Sequence, residues 1–334
     1  MVVPNVVSKE LVNAAKRKIN QCIGMARRAA MGYQDLGADR HLVEDRAALL
    51  DEAGETLEAL GSEQVITDLF NASGAIELLE SVLGDGAVEP QPAGQMQVLF
   101  PPTEDLTKTV GQMGWRNEDV PWYGWGGHLD GQNNGGVNGN AKEMDNNCNI
   151  KNFTALVGFP LSDQTEEGVG NLGLLRTAHH AMESVFQQQD AKGGPLGPDG
   201  PDWPREEPNQ GRNSYAPAVR EAFRTNADGE EAIISENGRA WPKPHFVKTK
   251  PGDCVIVKHE TPHSGTRIEG PDPRFMIYFR VIHAKRPEGF ELCYPAATTN
   301  IWLEWPGLAD VVAKCKQEQH ATVSTAGAAG KAKL

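Results

Sequence analysis

The chain has 334 residues, with 45 acidic against 32 basic side chains and a net charge of −13. That excess of negative charge, with no long basic run, makes nucleic acid and anionic membrane poor partners for the chain as a whole. No stretch approaches the ~20 apolar residues of a membrane span, and the length suffices for a core that needs no covalent staples.

Helices come first. Ser8 can cap SKELVNAAKRKINQCIGMARRAAM, where Leu11, Ala15, Ile19 and Ile23 recur at helical spacing. A second helical region is expected over 41–60. SEQVITDLFNASGAIELLESVLG reads as two short helices broken at 71–74. Residues 1–90 thus form a helical region expected to cover one face of a sheet.

The texture changes near residue 95. QVLFPP is a strand stopped by prolines, and Trp115, Trp122 and Trp125 cluster before Gly127-His128-Leu129-Asp130. These tryptophans can line a substrate mouth or pack a core. If the segment is extended, His128 and Asp130 point to the same side. The Asn- and Gly-rich stretch 131–149 is long for a loop in a compact domain, which makes it a lid candidate beside those two residues. NFTALVGFPLSD and NLGLLRTAHH read as further strands, the second placing His179 and His180 on opposite faces. Residues 187–245 are an irregular insert rich in Gly, Pro and charge, with a short helix near 216–225. Its Arg205, Arg212 and Arg220 are exposed charges or contacts to an acidic substrate.

PGD at 251–253 is a turn, CVIV a buried strand, and RFMIYFRV a second strand. The period of two places Arg274, Met276, Tyr278 and Arg280 on one face and Phe275, Ile277 and Phe279 on the other. Arginines on an otherwise apolar strand are costly to bury without an anion. His128, Asp130 and His263 make up a two-histidine, one-carboxylate set, the facial triad of non-haem Fe(II) oxygenases. His259 competes with His263 as the third ligand, and Arg280 with Arg274 as the anion anchor. His259-Glu260-Thr261-Pro262-His263 also fits HExxH, the zinc-peptidase motif, but that motif needs a helix and Pro262 would interrupt it.

With HLD at 128–130, NLGLLRTAHH at 171–180, His263 and an arginine eleven residues later, the chain resembles the phytanoyl-CoA hydroxylase-like family of Fe(II)/2-oxoglutarate oxygenases. The family's PGSH element reads RTAH here, and Gly265, flanked by Ser264 and Thr266, stands where a small polar residue is common. The resemblance implies that His128, Asp130 and His263 hold Fe(II) and that Arg274 binds the far carboxylate of 2-oxoglutarate. It implies O2 as oxidant, succinate and CO2 as products, and oxidation of a C–H bond of a small organic substrate. It favours His263 over His259 and Arg274 over Arg280, and Asp130 opposes the related halogenases, where a small residue replaces the carboxylate. A cupin-like binding protein without activity is the other class of reading.

The implied fold is α+β with a mainly β core, a double-stranded β-helix (jelly-roll, cupin-like) over 95–290, with N-terminal helices packed on one sheet. Residues 291–334 form a C-terminal extension with a short helix near 308–316 and a tail rich in Ala, Gly, Ser and Lys. Cys22, Cys148, Cys254, Cys293 and Cys315 are odd in number, scattered and without CxxC, a reducing-compartment pattern with no disulfide framework. Cys254 reads as a small core residue. The start, MVVPNVVSKE, lacks the features of a secretory signal. The protein is expected to be cytoplasmic, or peroxisomal if the closing Ala332-Lys333-Leu334 acts as a relative of the SKL address.

Overall fold

The computed structural model describes residues 1–29, 60–101, 121–132, 145–204 and 215–314. The expected helix over 41–60 (apart from Leu60), Trp115, most of the 131–149 stretch, Arg205, Arg212, Cys315 and the C-terminal tail lie outside the described residues.

The helical expectations near the N-terminus hold where they can be seen. Helix α1 spans Lys9–Ala29, and Ser8 Oγ accepts the Leu11 N–H at 3.3 Å, as a cap should. Helices α2 (Gln64–Asn71) and α3 (Ala75–Leu83) are separated at the Asn-Ala-Ser-Gly break. Ala15, Ile19, Ile66, Leu69, Phe70 and Leu79 of these helices are fully buried.

The strands are β1 (Val2–Val3), β2 (Gln95–Leu99), β3 (Ala155–Pro160), β4 (Leu172–Leu174), β5 (Ile233–Ile234), β6 (Ala240–Trp241), β7 (His245–Phe246), β8 (Cys254–Lys258), β9 (His263–Gly265) and β10 (Arg274–Val281). They build a five-stranded sheet in the order β1-β8-β3-β10-β2, a three-stranded sheet in the order β7-β4-β9, and the β5-β6 pair. All the pairs are antiparallel.

Alternation on β10 separates two cores. Phe275, Ile277, Phe279 and Val281 join the α1–α3 residues, and the Phe70 and Phe279 rings lie 5.3 Å apart. Met276 and Tyr278, on the opposite face, cluster with Leu156, Val255 and Val257 of the large sheet and with Leu172 and Val247 on the side of the small one. The order is therefore helices, large sheet, small sheet, with one face of β10 turned toward the space between sheets. Truncating a ring such as Phe279 to Ala would cost about 3–5 kcal/mol.

A third cluster joins α4 (Ala178–Ala191) and α5 (Pro217–Ala222) to Trp125, Leu129, Trp203 and Tyr215. Here two expectations are corrected. Only 172–174 of the NLGLLRTAHH stretch is strand. Thr177 turns the chain at φ 66, and His179 and His180 sit in the first turn of α4, with ring centroids 4.2 Å apart. The helical stripe Ala178, Met182, Val185, Phe186 and Gln189 is buried, and it outweighs the short apolar run before it. Second, Cys148 and Cys293 form a disulfide, with Cα atoms 6.6 Å apart and 145 residues between them in sequence. Scattered spacing conceals a pairing made by the fold, and the expectation of a reducing-compartment pattern without disulfides is corrected at this pair. Cys22 and Cys254 are buried, Cys254 within the core as expected. The helix expected near the C-terminus is present over 309–314, and α6 (Pro295–Thr299) precedes it. Among the described residues no helix is long and apolar enough to cross a membrane.

Candidate metal centre

His128 and His263 lie far apart in the chain and are joined by a reciprocal backbone pair. Each N–H donates to the other's carbonyl at 2.9 Å, forming an antiparallel bridge. Directly opposed residues place their side chains close together, and the two imidazole centroids are 4.7 Å apart. Leu129 turns the other way and is fully buried in the α4–α5 cluster, which leaves Asp130 on the histidine side, as the period of two requires. Asp130 Oδ1 lies 3.3 Å from His128 Nε2, and Oδ2 lies 3.8 Å from His263 Nε2. One donor atom from each of the three residues falls within 4.8 Å of the other two.

The next residue fixes where the chain departs. Gly131 has φ +77, and a Cβ there would sit 1.8 Å from the Lys151 carbonyl oxygen. That carbonyl's residue also donates its N–H to Gly131 O at 2.7 Å. Only glycine supplies both the left-handed backbone and the close approach.

Hydrogen bonding readies the donors for a cation. His263 Nδ1 is 3.0 Å from the Thr261 carbonyl. A carbonyl only accepts, so Nδ1 carries the proton and Nε2 keeps its lone pair for a cation. Burial pushes the His128 imidazole below its usual value, partly offset by its hydrogen bond to Asp130. Burial alone would raise Asp130, but its contacts with the His128 and His263 imidazoles and the Arg280 charge hold it well below the usual carboxylate range. The carboxylate is ionised at neutral pH.

His259 is not part of this set. It is fully buried, and its Nε2–H donates to the Asp130 backbone carbonyl at 3.1 Å. Burial lowers its pKa to about 4, so the ring is neutral. Residues 259–262 form a turn rather than a helix, so the HExxH pattern lacks the geometry a zinc peptidase needs.

The two arginines on β10 divide the roles that sequence left open between them. Arg280 is half-exposed and places Nε and Nη2 at 3.0 and 2.9 Å from Asp130 Oδ2. Arg274 is 2% exposed. It donates from Nε to Gln164 Oε1 at 3.2 Å and from Nη2 to Tyr278 Oη at 2.8 Å. Among the described residues no carboxylate pairs with it. Four residues along a strand span about 13 Å, so the contact with Tyr278 requires the Arg274 side chain to lean toward the Arg280 end of β10. Its Nη1 faces β9, 3.7 Å from where a Cβ on Gly265 would stand. Gln164 was not singled out by sequence, and no local pattern marks it.

No family model and no curated protein matches the sequence. Among solved structures, the chain is similar to HygX from Streptomyces hygroscopicus with nickel, 2-oxoglutarate and hygromycin B bound. The identity is 12%, with 86% of this chain and 84% of that one covered and a TM-score of 0.38. It is also similar to the epimerase SnoN in complex with Fe3+, alpha ketoglutarate and nogalamycin RO, at 14% identity, 86% and 82% coverage and a TM-score of 0.34. Likeness at this level assigns neither fold nor chemistry.

The donor set itself is informative. Two imidazoles and one carboxylate, all on one side of a narrow bridge, suit an Fe(II)-type ion with further positions open to small ligands. The three side chains are 20%, 12% and 6% exposed for His128, Asp130 and His263, so the donors are sheltered yet reachable.

Proposed function

We propose that this chain is an Fe(II)/2-oxoglutarate-dependent oxygenase acting on a C–H bond of a small organic substrate, of the kind found in the phytanoyl-CoA hydroxylase-like family. The observation that carries this reading is the convergence of His128 Nε2, Asp130 and His263 Nε2, on a strand pair flanked by a buried arginine with no carboxylate partner among the described residues. The two antiparallel sheets are then read as the halves of a double-stranded β-helix within 95–290, with the N-terminal helices α1 to α3 packed on the large sheet and a C-terminal extension from residue 291, in one domain.

In this reading His128, Asp130 and His263 would hold the iron. Bound iron and 2-oxoglutarate supply oxygen activation, with O2 consumed and succinate, CO2 and oxidised substrate released. The chain's own residues bind and orient. Arg274 takes the far carboxylate through the guanidinium edge that Gln164 and Tyr278 leave open, and its planar fork suits a bidentate pair. Tyr278 Oη, which already accepts from Arg274, keeps its own proton free to donate. Thr261 holds the His263 proton at Nδ1, so that Nε2 stays a donor to metal. Leu129 and Trp125, both buried, close the side of the site away from the large sheet against water.

Anaerobic titration with Fe(II) followed by 2-oxoglutarate tests the reading. One equivalent of metal should bind, cosubstrate addition should give a metal-to-ligand charge-transfer absorption, and a metabolite panel with O2 should reveal substrate-dependent succinate. A chain that binds no Fe(II), or that binds Zn(II) tightly and cleaves peptides, overturns it.

A further inference from the structure

Asp130 is held at two points that neither neighbouring imidazole of the triad supplies. Its backbone carbonyl accepts from His259 Nε2 at 3.1 Å. Its Oδ2 accepts a hydrogen bond from Arg280 Nε at 3.0 Å, and Arg280 Nη2 lies 2.9 Å from the same oxygen. Both holding groups rest on Phe153, itself 5% exposed. The His259 ring meets Phe153 edge to face at 4.7 Å between centroids, and the Arg280 guanidinium carbon lies 6.0 Å from the ring centre.

We infer that Phe153, His259 and Arg280 form a cradle that sets the orientation of Asp130, offering Oδ1 to the metal while the guanidinium occupies Oδ2. This rests on the metal-centre reading above and adds three positioning residues to it. A free carboxylate can bind a cation through one oxygen or both. With the guanidinium paired to Oδ2, that oxygen is the weaker donor and Oδ1 is left as the ligand. One-oxygen binding keeps an additional metal position open for cosubstrate and O2, which the proposed chemistry requires. His259 controls the backbone at the same residue, so the carboxylate has little freedom to swing. Phe153 gives both partners a common floor, because aromatic edge-to-face and cation–π contacts favour the geometry seen.

The opposing account makes Arg280 a placeholder whose positive charge substitutes for the metal's and departs when metal enters. The two accounts differ in sign. Removing a competing cation tightens metal binding. Removing a partner that orients a ligand weakens it, typically by about 10–100-fold.

The full-length chain would be titrated anaerobically with Co(II), a stand-in for Fe(II) whose visible bands report coordination. For R280Q we expect Co(II) affinity to fall by about 10–100-fold, with altered visible bands, and R280K to recover part of the loss. H259Q, whose amide can still donate to the Asp130 carbonyl, should recover most of what H259L loses. The half-exposed Arg280 makes R280Q the arm least exposed to folding defects, and melting of the metal-free proteins checks this. Wild-type binding with R280Q equal to it or tighter overturns the cradle alone. A wild-type chain that binds no divalent metal overturns the metal centre and the cradle together.

Discussion

Arg274 and Arg280 leave the same face of β10, six residues apart, and meet opposite surroundings. Arg274 is sealed from water and, among the described residues, bonded to the neutral Gln164 and Tyr278. Arg280 is half-exposed and has its carboxylate, Asp130, already in hand. A buried guanidinium left with neutral partners is expensive, whereas an exposed one paired across solvent contributes little to stability. Under the proposed function the difference supports Arg274, which the family spacing also favours, as the arginine that takes an anion, and Arg280 as a partner of Asp130.

The largest expected effect breaks the Arg280 end. Asp130→Ala should weaken Fe(II) or Co(II) binding by more than the 10–100-fold typical of losing an outer partner, and should abolish succinate formation. Because Arg280 can turn to water, the melting temperature of the metal-free protein should change little. Metal titration and calorimetry of the same preparation check both statements.

Next comes the Arg274 end. A charged hydrogen bond to a carboxylate is worth about 1.5–3 kcal/mol, so Arg274→Met should raise the 2-oxoglutarate dissociation constant by roughly ten- to hundred-and-fifty-fold. Arg274→Lys should rescue part of that, keeping the charge but not the fork. Metal affinity without cosubstrate should be unaffected. The pattern should cross over: Arg280→Met weakens metal and Arg274→Met weakens cosubstrate. If Arg280→Met instead cripples 2-oxoglutarate binding while Arg274→Met leaves it undisturbed, the assignments exchange.

Much of this was legible before any coordinates, because it was local. HLD, the strand after PGD, and RFMIYFRV each declare their faces within a few residues, and the period of two on β10 foretold Arg274, Tyr278 and Arg280 on one side. What sequence could not show were partnerships across long separations. Arg280 meets Asp130 at a separation of 150 residues, and Cys148 meets Cys293 at 145. His259, the rival to His263 as third ligand, lies fully buried against the Asp130 carbonyl, a placement its own neighbours in sequence do not declare. For His179 and His180 the apolar run before them concealed a helix start, and only the buried stripe of α4 reveals it.

A smaller effect sharpens the comparison through the backbone between its two ends. Gly131→Ala would force a side chain into the left-handed region and onto the Lys151 carbonyl. A strained position of this kind costs on the order of 1–3 kcal/mol, read as a lowered melting temperature with weaker metal binding, since Asp130 is the adjacent residue. An alanine variant that melts and binds as wild type would show that the loop departs from Asp130 differently.

The smallest effect serves as a control away from both arginines. Burial, with smaller contributions from His180 and Lys258, lowers the pKa of His179 from 6.5 to about 3. The unfolded chain therefore binds a proton that the folded chain refuses between those pH values. Stability from this group is full above pH 6.5 and is lost as pH falls toward 3. His179→Gln should flatten the acid limb of the stability curve by up to about 1.4 kcal/mol per pH unit, and leave metal and 2-oxoglutarate affinities at neutral pH unchanged. Urea melts across pH 4–7 provide the check.

The reciprocal backbone pair between His128 and His263 has a consequence for how such a protein can change. The spacing of the two imidazoles is a matter of strand register, not of how much chain lies between them. The irregular stretch from α4 to β7 can therefore lengthen or shorten at a closure cost of only about 0.6 kcal/mol per doubling. Insertions there would leave the spacing of the two imidazoles unchanged, because the register of the 128–263 bridge alone sets it.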